Sequence, residues 1–157
     1  MYERTIICLA NSRKPPSGRC IAGKECDGVR QGVWIRPVSA RPGHEVSEEE
    51  RRYEDGRKVH LLDIVRVPLV QHAPFGHQVE NHVLDREYAT WEQIRSFIDP
   101  YDAGFWQNSE STYHGHNDKV SENILVGMQC SLKLIALPEI EIVVHLEEGF
   151  QGRPGRR

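Results

Sequence analysis

The chain has 157 residues, of which 38% are hydrophobic and 27% charged, enough for one domain or two small lobes and too few for a multi-domain enzyme. A formal charge of -3 excludes a globally basic polyanion binder, so any such signal must be local. No apolar run approaches the roughly 18 residues of a membrane span, and the residues after Met1-Tyr2-Glu3-Arg4 are too few and too mixed for a signal peptide. The expected location is the cytoplasm, where Cys8, Cys20, Cys26 and Cys130 remain free thiols.

Period-two alternation and β-branched content predict a mostly-β chain. Thr5-Ile6-Ile7-Cys8-Leu9 forms a first strand, closed by the turn-prone Asn11-Ser12, and Val33 to Val38 forms a second. A third runs from Val59 to Val70, with Pro68 marking an edge or bulge. Ser47-Glu48-Glu49-Glu50 matches a capping box but has almost no apolar face, which predicts a short surface turn. Thr90-Trp91-Glu92-Gln93 matches the same motif, and Trp91, Ile94 and Ile98 share a helical face before Asp99-Pro100, so one helix is expected over 90–99. Residues 101–123 read as a long ordered loop. Cys130, Leu132 and Leu134, then Ile140, Ile142, Val144 and Leu146, alternate as two late strands, and residues 149–157 form a Gly/Pro/Arg tail expected to be mobile.

Charge is distributed unevenly, at +5 over residues 1–41 and -8 over the rest. Asn11-Ser12-Arg13-Lys14, then Arg19 and Lys24 among glycines, then Trp34 and Arg36 on one strand face, form the densest constellation. Glycine permits close backbone approach, cations neutralise phosphate, and an indole beside a guanidinium can stack a base. The plainer alternative makes Trp34 core and the cations solvated loops. Gly18 to Lys24 carries the Gly-x-x-x-x-Gly-Lys of a phosphate loop, but Glu25 stands where a magnesium-binding Ser or Thr is needed, so nucleotide hydrolysis by this route is excluded.

Histidines at 72, 77 and 82, and at 114 and 116, lack ligand spacing, as do the cysteines, so no metal or other cofactor is expected. Cys20, near Arg19 and Lys24, could act as a nucleophile with His82 or His44 as base, which would make a small hydrolase or transferase. Glu80-Asn81-His82 reads either as a turn tied by its side chains or as a ligand contact.

In combination, Cys8-Leu9-Ala10-Asn11-Ser12-Arg13-Lys14, Arg19-Cys20-Ile21-Ala22-Gly23-Lys24-Glu25, Trp34-Ile35-Arg36-Pro37-Val38-Ser39, Leu62-Asp63-Ile64-Val65 and Glu80-Asn81-His82 resemble the bacterial dual OB-containing domain family over roughly residues 5–135. The resemblance implies two OB-type β-barrels and nucleic-acid or nucleotide recognition, in part in prokaryotic conflict systems. It carries over no catalytic residue. The lobes expected are 1–78, basic, and 79–157, holding the helix near 90–99 and lacking a final strand where the tail stands.

The expectation is therefore a non-enzymatic module that binds single-stranded nucleic acid or a nucleotide-like ligand through Asn11, Ser12, Arg13, Lys14, Arg19, Lys24, Trp34, Arg36, Asn81 and His82. The competing readings are the Cys20/His82 enzyme and an adaptor with a protein partner at the acidic C-terminal half.

Overall fold

A computed structural model describes residues 1–15, 17–85, 91–95, 130–132 and 134. Among these residues six strands form: β1 (Tyr2–Lys14), β2 (Gly18–Glu25), β3 (Trp34–Val38), β4 (Ile64–His72), β5 (Asn81–Leu84) and β6 (Glu92–Arg95). The ladder order is β1-β2-β3-β5-β4, and β4 pairs back onto β1, so five strands close a barrel. All its pairs are antiparallel except β3 with β5. Closure leaves these strands no common open edge, and alternate side chains fill the interior.

β1 is long because it serves two neighbours. Its first half pairs with β4, from Tyr2↔Leu69 to Ile7↔Ile64, and its second half with β2, from Ile6↔Glu25 to Lys14↔Gly18. A register shift between Cys8 and Ala10 bends the strand where it changes partners. Ile6, Cys8, Ile21, Ile35, Val65, Val67, Leu69 and Leu84 supply alternate inward positions and are at most 3% exposed. Each such aliphatic side chain contributes about 1.5–3 kcal/mol when fully buried. Gly23 is the tightest point of the wall, since a Cβ there would lie 2.1 Å from the Ile7 carbonyl oxygen.

Several expectations need correction. β1 does not stop at Asn11-Ser12 but continues to Lys14, because Asn11 and Ser12 pair with Ile21 and Cys20 and the Asn11 amide donates to the Val59 carbonyl at 2.9 Å. A side chain held that way is not available to form a local turn. The helix expected from Thr90 is replaced over Glu92–Arg95 by strand β6. The physical cause is a vacancy on β4: β5 covers only Leu69 to His72, leaving Ile64 to Arg66 to pair with Arg95, Gln93 and Glu92. Trp91 enters the core at 1% exposure and Ile94 faces outward at 43%, which breaks the apolar stripe that suggested a helix.

Among the described residues no α-helix forms, and the one helical piece is a 3-10 turn at Gly28–Arg30. The first capping box closes on itself around a turn: Ser47 N–H donates to Glu50 Oε2 at 2.8 Å and Glu50 N–H donates to Ser47 Oγ at 3.1 Å. The bulge expected near Pro68 falls between Leu69 and Gln71. Position 78/79, the expected lobe boundary, falls in the β4–β5 loop, and β5 after it is a strand of the barrel described here. Cys130, Ser131 and Leu132 are not in a strand. The expected loop at 101–123, the strand at 140–146 and the tail at 149–157 lie outside the described residues, as does most of the range expected to form a second lobe.

Candidate nucleic-acid interface

The outer face of β2 and β3 carries Lys24, Trp34 and Arg36. Lys24 and Trp34 are cross-strand partners, with the ammonium 5.5 Å from the indole centroid. Both are buried, at 3% and 8% exposure, and burial pulls the Lys24 pKa down. Arg36, also 8% exposed, pairs with Glu80 at 2.8 Å and donates to Ser131 Oγ at 2.9 Å. Burial raises the Glu80 carboxyl pKa, but hydrogen bonds from Ser131 and the Arg36 charge outweigh it and hold the group below its ordinary value. Trp34 is therefore not an open stacking platform, and Lys24 and Arg36 are not open cations. The segment at Cys130–Leu132, distant in sequence, lies across them.

The β1–β2 hairpin is different. Arg13 stands directly opposite Arg19, Ser12 opposite Cys20, and Lys14 opposite Gly18. Arg13 and Ser12 are exposed, and Lys14 and Arg19 are half-buried. Among the described residues no ion pair involves Arg13, Lys14 or Arg19. Arg19 Nη1 donates to the Asn11 carbonyl at 3.4 Å and Lys14 Nζ to the Gly43 carbonyl at 2.5 Å, contacts that orient the cations without neutralising them.

Next to Gly43, His44 adopts φ 60°, a strained conformation for a residue with a side chain. Ser39 N–H donates to its carbonyl at 3.2 Å, and His44 Nδ1 lies 3.2 Å from the Ser39 carbonyl. The ring is thereby held 6.4 Å from that of Phe75, at the tip of the β4–β5 loop. Phe75 is 72% exposed. Sequence reading passed over it, although an aromatic between Pro74 and Gly76 in a polar loop was the available signal.

Asn81 and His82 stand elsewhere, at the start of β5. Asn81 is buried and its amide donates to Gln78 Oε1 at 3.1 Å, while its Oδ1 is buried without a partner. His82 Nδ1 lies 2.5 Å from the Tyr2 hydroxyl, and its ring centroid is 4.8 Å from that of His72. Burial, then the charges of His72, Arg30 and Arg4, pull its pKa down to about 4.

The Cys20/His82 pair does not assemble. Cys20 is on β2 and His82 on β5 with β3 between them, two strand spacings, on the order of 9–10 Å. All four cysteines are free thiols, and burial pushes Cys8 up to about 12 and Cys26 and Cys130 up to about 11, far from nucleophilic thiolates at neutral pH.

A closed five-stranded barrel in the order 1-2-3-5-4-1, with β3 parallel to β5, has the form of an OB-fold. The model of the dual OB-containing domain matches residues 4–157. The chain belongs to this family. No curated protein and no solved structure matches it. For a dual OB-containing domain, the hairpin described above is the loop between β1 and β2, and Phe75 sits on the loop between β4 and β5. These are the two loops with which OB-folds commonly supplement their sheet face in ligand binding.

Proposed function

We propose that this dual OB-containing domain is a non-enzymatic module that binds single-stranded nucleic acid, or a nucleotide-like ligand, along its loop-bearing edge rather than on the β2–β3 face. Arg13, Lys14 and Arg19 take the phosphates, Ser12 and Asn11 flank them, and Phe75 braced by His44 stacks a base. The observation that carries this reading is the Arg13↔Arg19 pair. Like charges directly opposite on adjacent strands are unfavourable, and among the described residues no ion pair relieves them. A phosphate between them would.

The juxtaposition of cations and an exposed aromatic suits a single strand, whose backbone and base faces are presented together. A place in prokaryotic conflict systems fits a module of this kind. Ultraviolet crosslinking of a 4-thiouridine oligonucleotide, followed by peptide mapping, tests the placement. Crosslinks are expected within 12–19 and 73–78. Crosslinks confined to other segments, or none at low salt, would overturn it.

A further inference from the structure

The loop-bearing edge holds one acid that phosphate binding does not explain. Glu45 follows Gly43 and His44 on the connection between β3 and β4, and its side chain is half-buried against two glycines. A Cβ on Gly18 would overlap Glu45 Cγ, and a Cβ on Gly43 would overlap Glu45 Oε2. Gly43, at φ 91°, needs glycine for its backbone as well. Gly18 has no positive φ, so its missing side chain serves the close approach of Glu45.

The carboxylate is placed but not engaged. No ion pair among the described residues includes Glu45, and its backbone carbonyl, not its carboxylate, accepts from Arg41 Nη2 at 3.0 Å. An ionised carboxylate can only accept hydrogen bonds, and its charge opposes a phosphate. What it can take from a nucleic acid is therefore a hydroxyl or an N–H donor.

Its neighbours say which donor. Gly43, against which Glu45 Oε2 rests, receives Lys14 Nζ on its carbonyl at 2.5 Å. Val46, the next residue, exchanges backbone hydrogen bonds with Arg19 at 2.8 and 3.0 Å. The preceding residue, His44, holds its ring 6.4 Å from that of Phe75. Glu45 thus adjoins both the phosphate cations and the stacking aromatics. In a nucleotide the group that adjoins both phosphate and base is the sugar.

We infer, resting on the reading of this edge as a single-strand site, that Glu45 reads the sugar: its carboxylate accepts the 2′-hydroxyl of a ribose, so the site selects RNA over DNA. The 2′-hydroxyl is the donor that deoxyribose lacks. Glu45 has no ion pair among the described residues to give up in accepting it.

Anisotropy of the full chain with labelled oligouridine, oligodeoxyuridine and 2′-O-methyl-oligouridine of one length, in buffer with a chelator, tests this. Uracil is common to all three, so base donors are constant, and the methyl ether keeps the ribose oxygen while removing its proton. The chelator removes divalent cations that would bridge a carboxylate to a phosphate. Oligouridine should bind about tenfold more tightly than the other two. Glu45→Gln keeps the length of the side chain against Gly18, and a thermal melt verifies its fold. It should shrink the ratio to about threefold or less, because the charge-assisted bond is lost. The ratio is the readout, since loss of the negative charge strengthens phosphate binding for every strand. Equal binding of the three strands, a 2′-O-methyl strand that binds like oligouridine, or a Glu45→Gln variant that keeps the native ratio would overturn the inference and leave the phosphate site standing. No binding of any strand at low salt would remove the edge site and this inference with it.

Discussion

Arg36 and Glu80 meet at 2.8 Å with their side chains only 10% and 2% exposed, and Ser131 hydrogen-bonds to both. This pair ties β3 to the residue preceding β5 and fastens Cys130–Leu132 over the sheet face on which OB-folds commonly bind ligands. Removing one partner of a buried pair leaves an uncompensated charge, at a cost of about 3–5 kcal/mol. Arg36→Ala should therefore lower the free energy of unfolding by about that amount in urea melts, and oligonucleotide affinity measured on the folded fraction should not change. A stable variant with weakened binding would assign Arg36 to ligand contact instead.

His82 gives the fold a pH dependence of defined sign. Its pKa is about 4 in the folded chain against 6.5 ordinarily, with burial the main cause. Between those values the unfolded chain binds the additional proton, so stability rises with pH from 4 to 6.5 and this contribution is flat above. The full difference is on the order of 3 kcal/mol. Urea melts at pH 4.5 and 7.5 should show the slope in the native chain, and His82→Gln should reduce it.

Gly23 should tolerate no side chain. A methyl group there would meet the Ile7 carbonyl oxygen, a backbone atom of the paired strand that cannot turn aside. Gly23→Ala is expected to destabilise the barrel by roughly 1–3 kcal/mol or more, read as a fall in the thermal midpoint.

The strands were legible because burial on one side imposes alternation that a local window can see: Ile6 and Cys8, Val65 and Val67, and the run through Ile35 all lie where the pattern places them. What failed depended on partners distant in sequence. Residues 90–93 carry a helix-start motif, yet the half-edge of β4 left vacant by β5 recruits Glu92–Arg95 as a strand. Trp34 and Arg36 have the composition of a binding face, but Ser131, 95 positions from Arg36, lies across it. In the hairpin, by contrast, the concentration of charge at Arg13, Lys14 and Arg19 is local and can be read without knowing their distant partners. Phe75 cannot, since its pairing with His44 depends on a loop contact across the fold.

Phe75→Ala should separate stacking from folding. The side chain is 72% exposed, so stability should change by no more than about 0.5 kcal/mol. Single-strand affinity should fall by about 1–3 kcal/mol, the value of one stacked base. Fluorescence anisotropy with a labelled oligonucleotide, paired with a thermal melt, reads both quantities.

The most direct measurement is the salt dependence of single-strand binding, by anisotropy, for the native chain and for the variant with Arg13, Lys14 and Arg19 replaced by alanine. Each phosphate neutralised contributes about -0.7 to the slope of log affinity against log salt for a single strand. The native chain should bind at low salt with a negative slope, and the triple variant should bind more weakly with a slope shallower by about 2. Phe75→Ala should keep the native slope at reduced affinity. A native chain that binds no strand at low salt, or a triple variant with unchanged slope, would contradict the hairpin as the phosphate site.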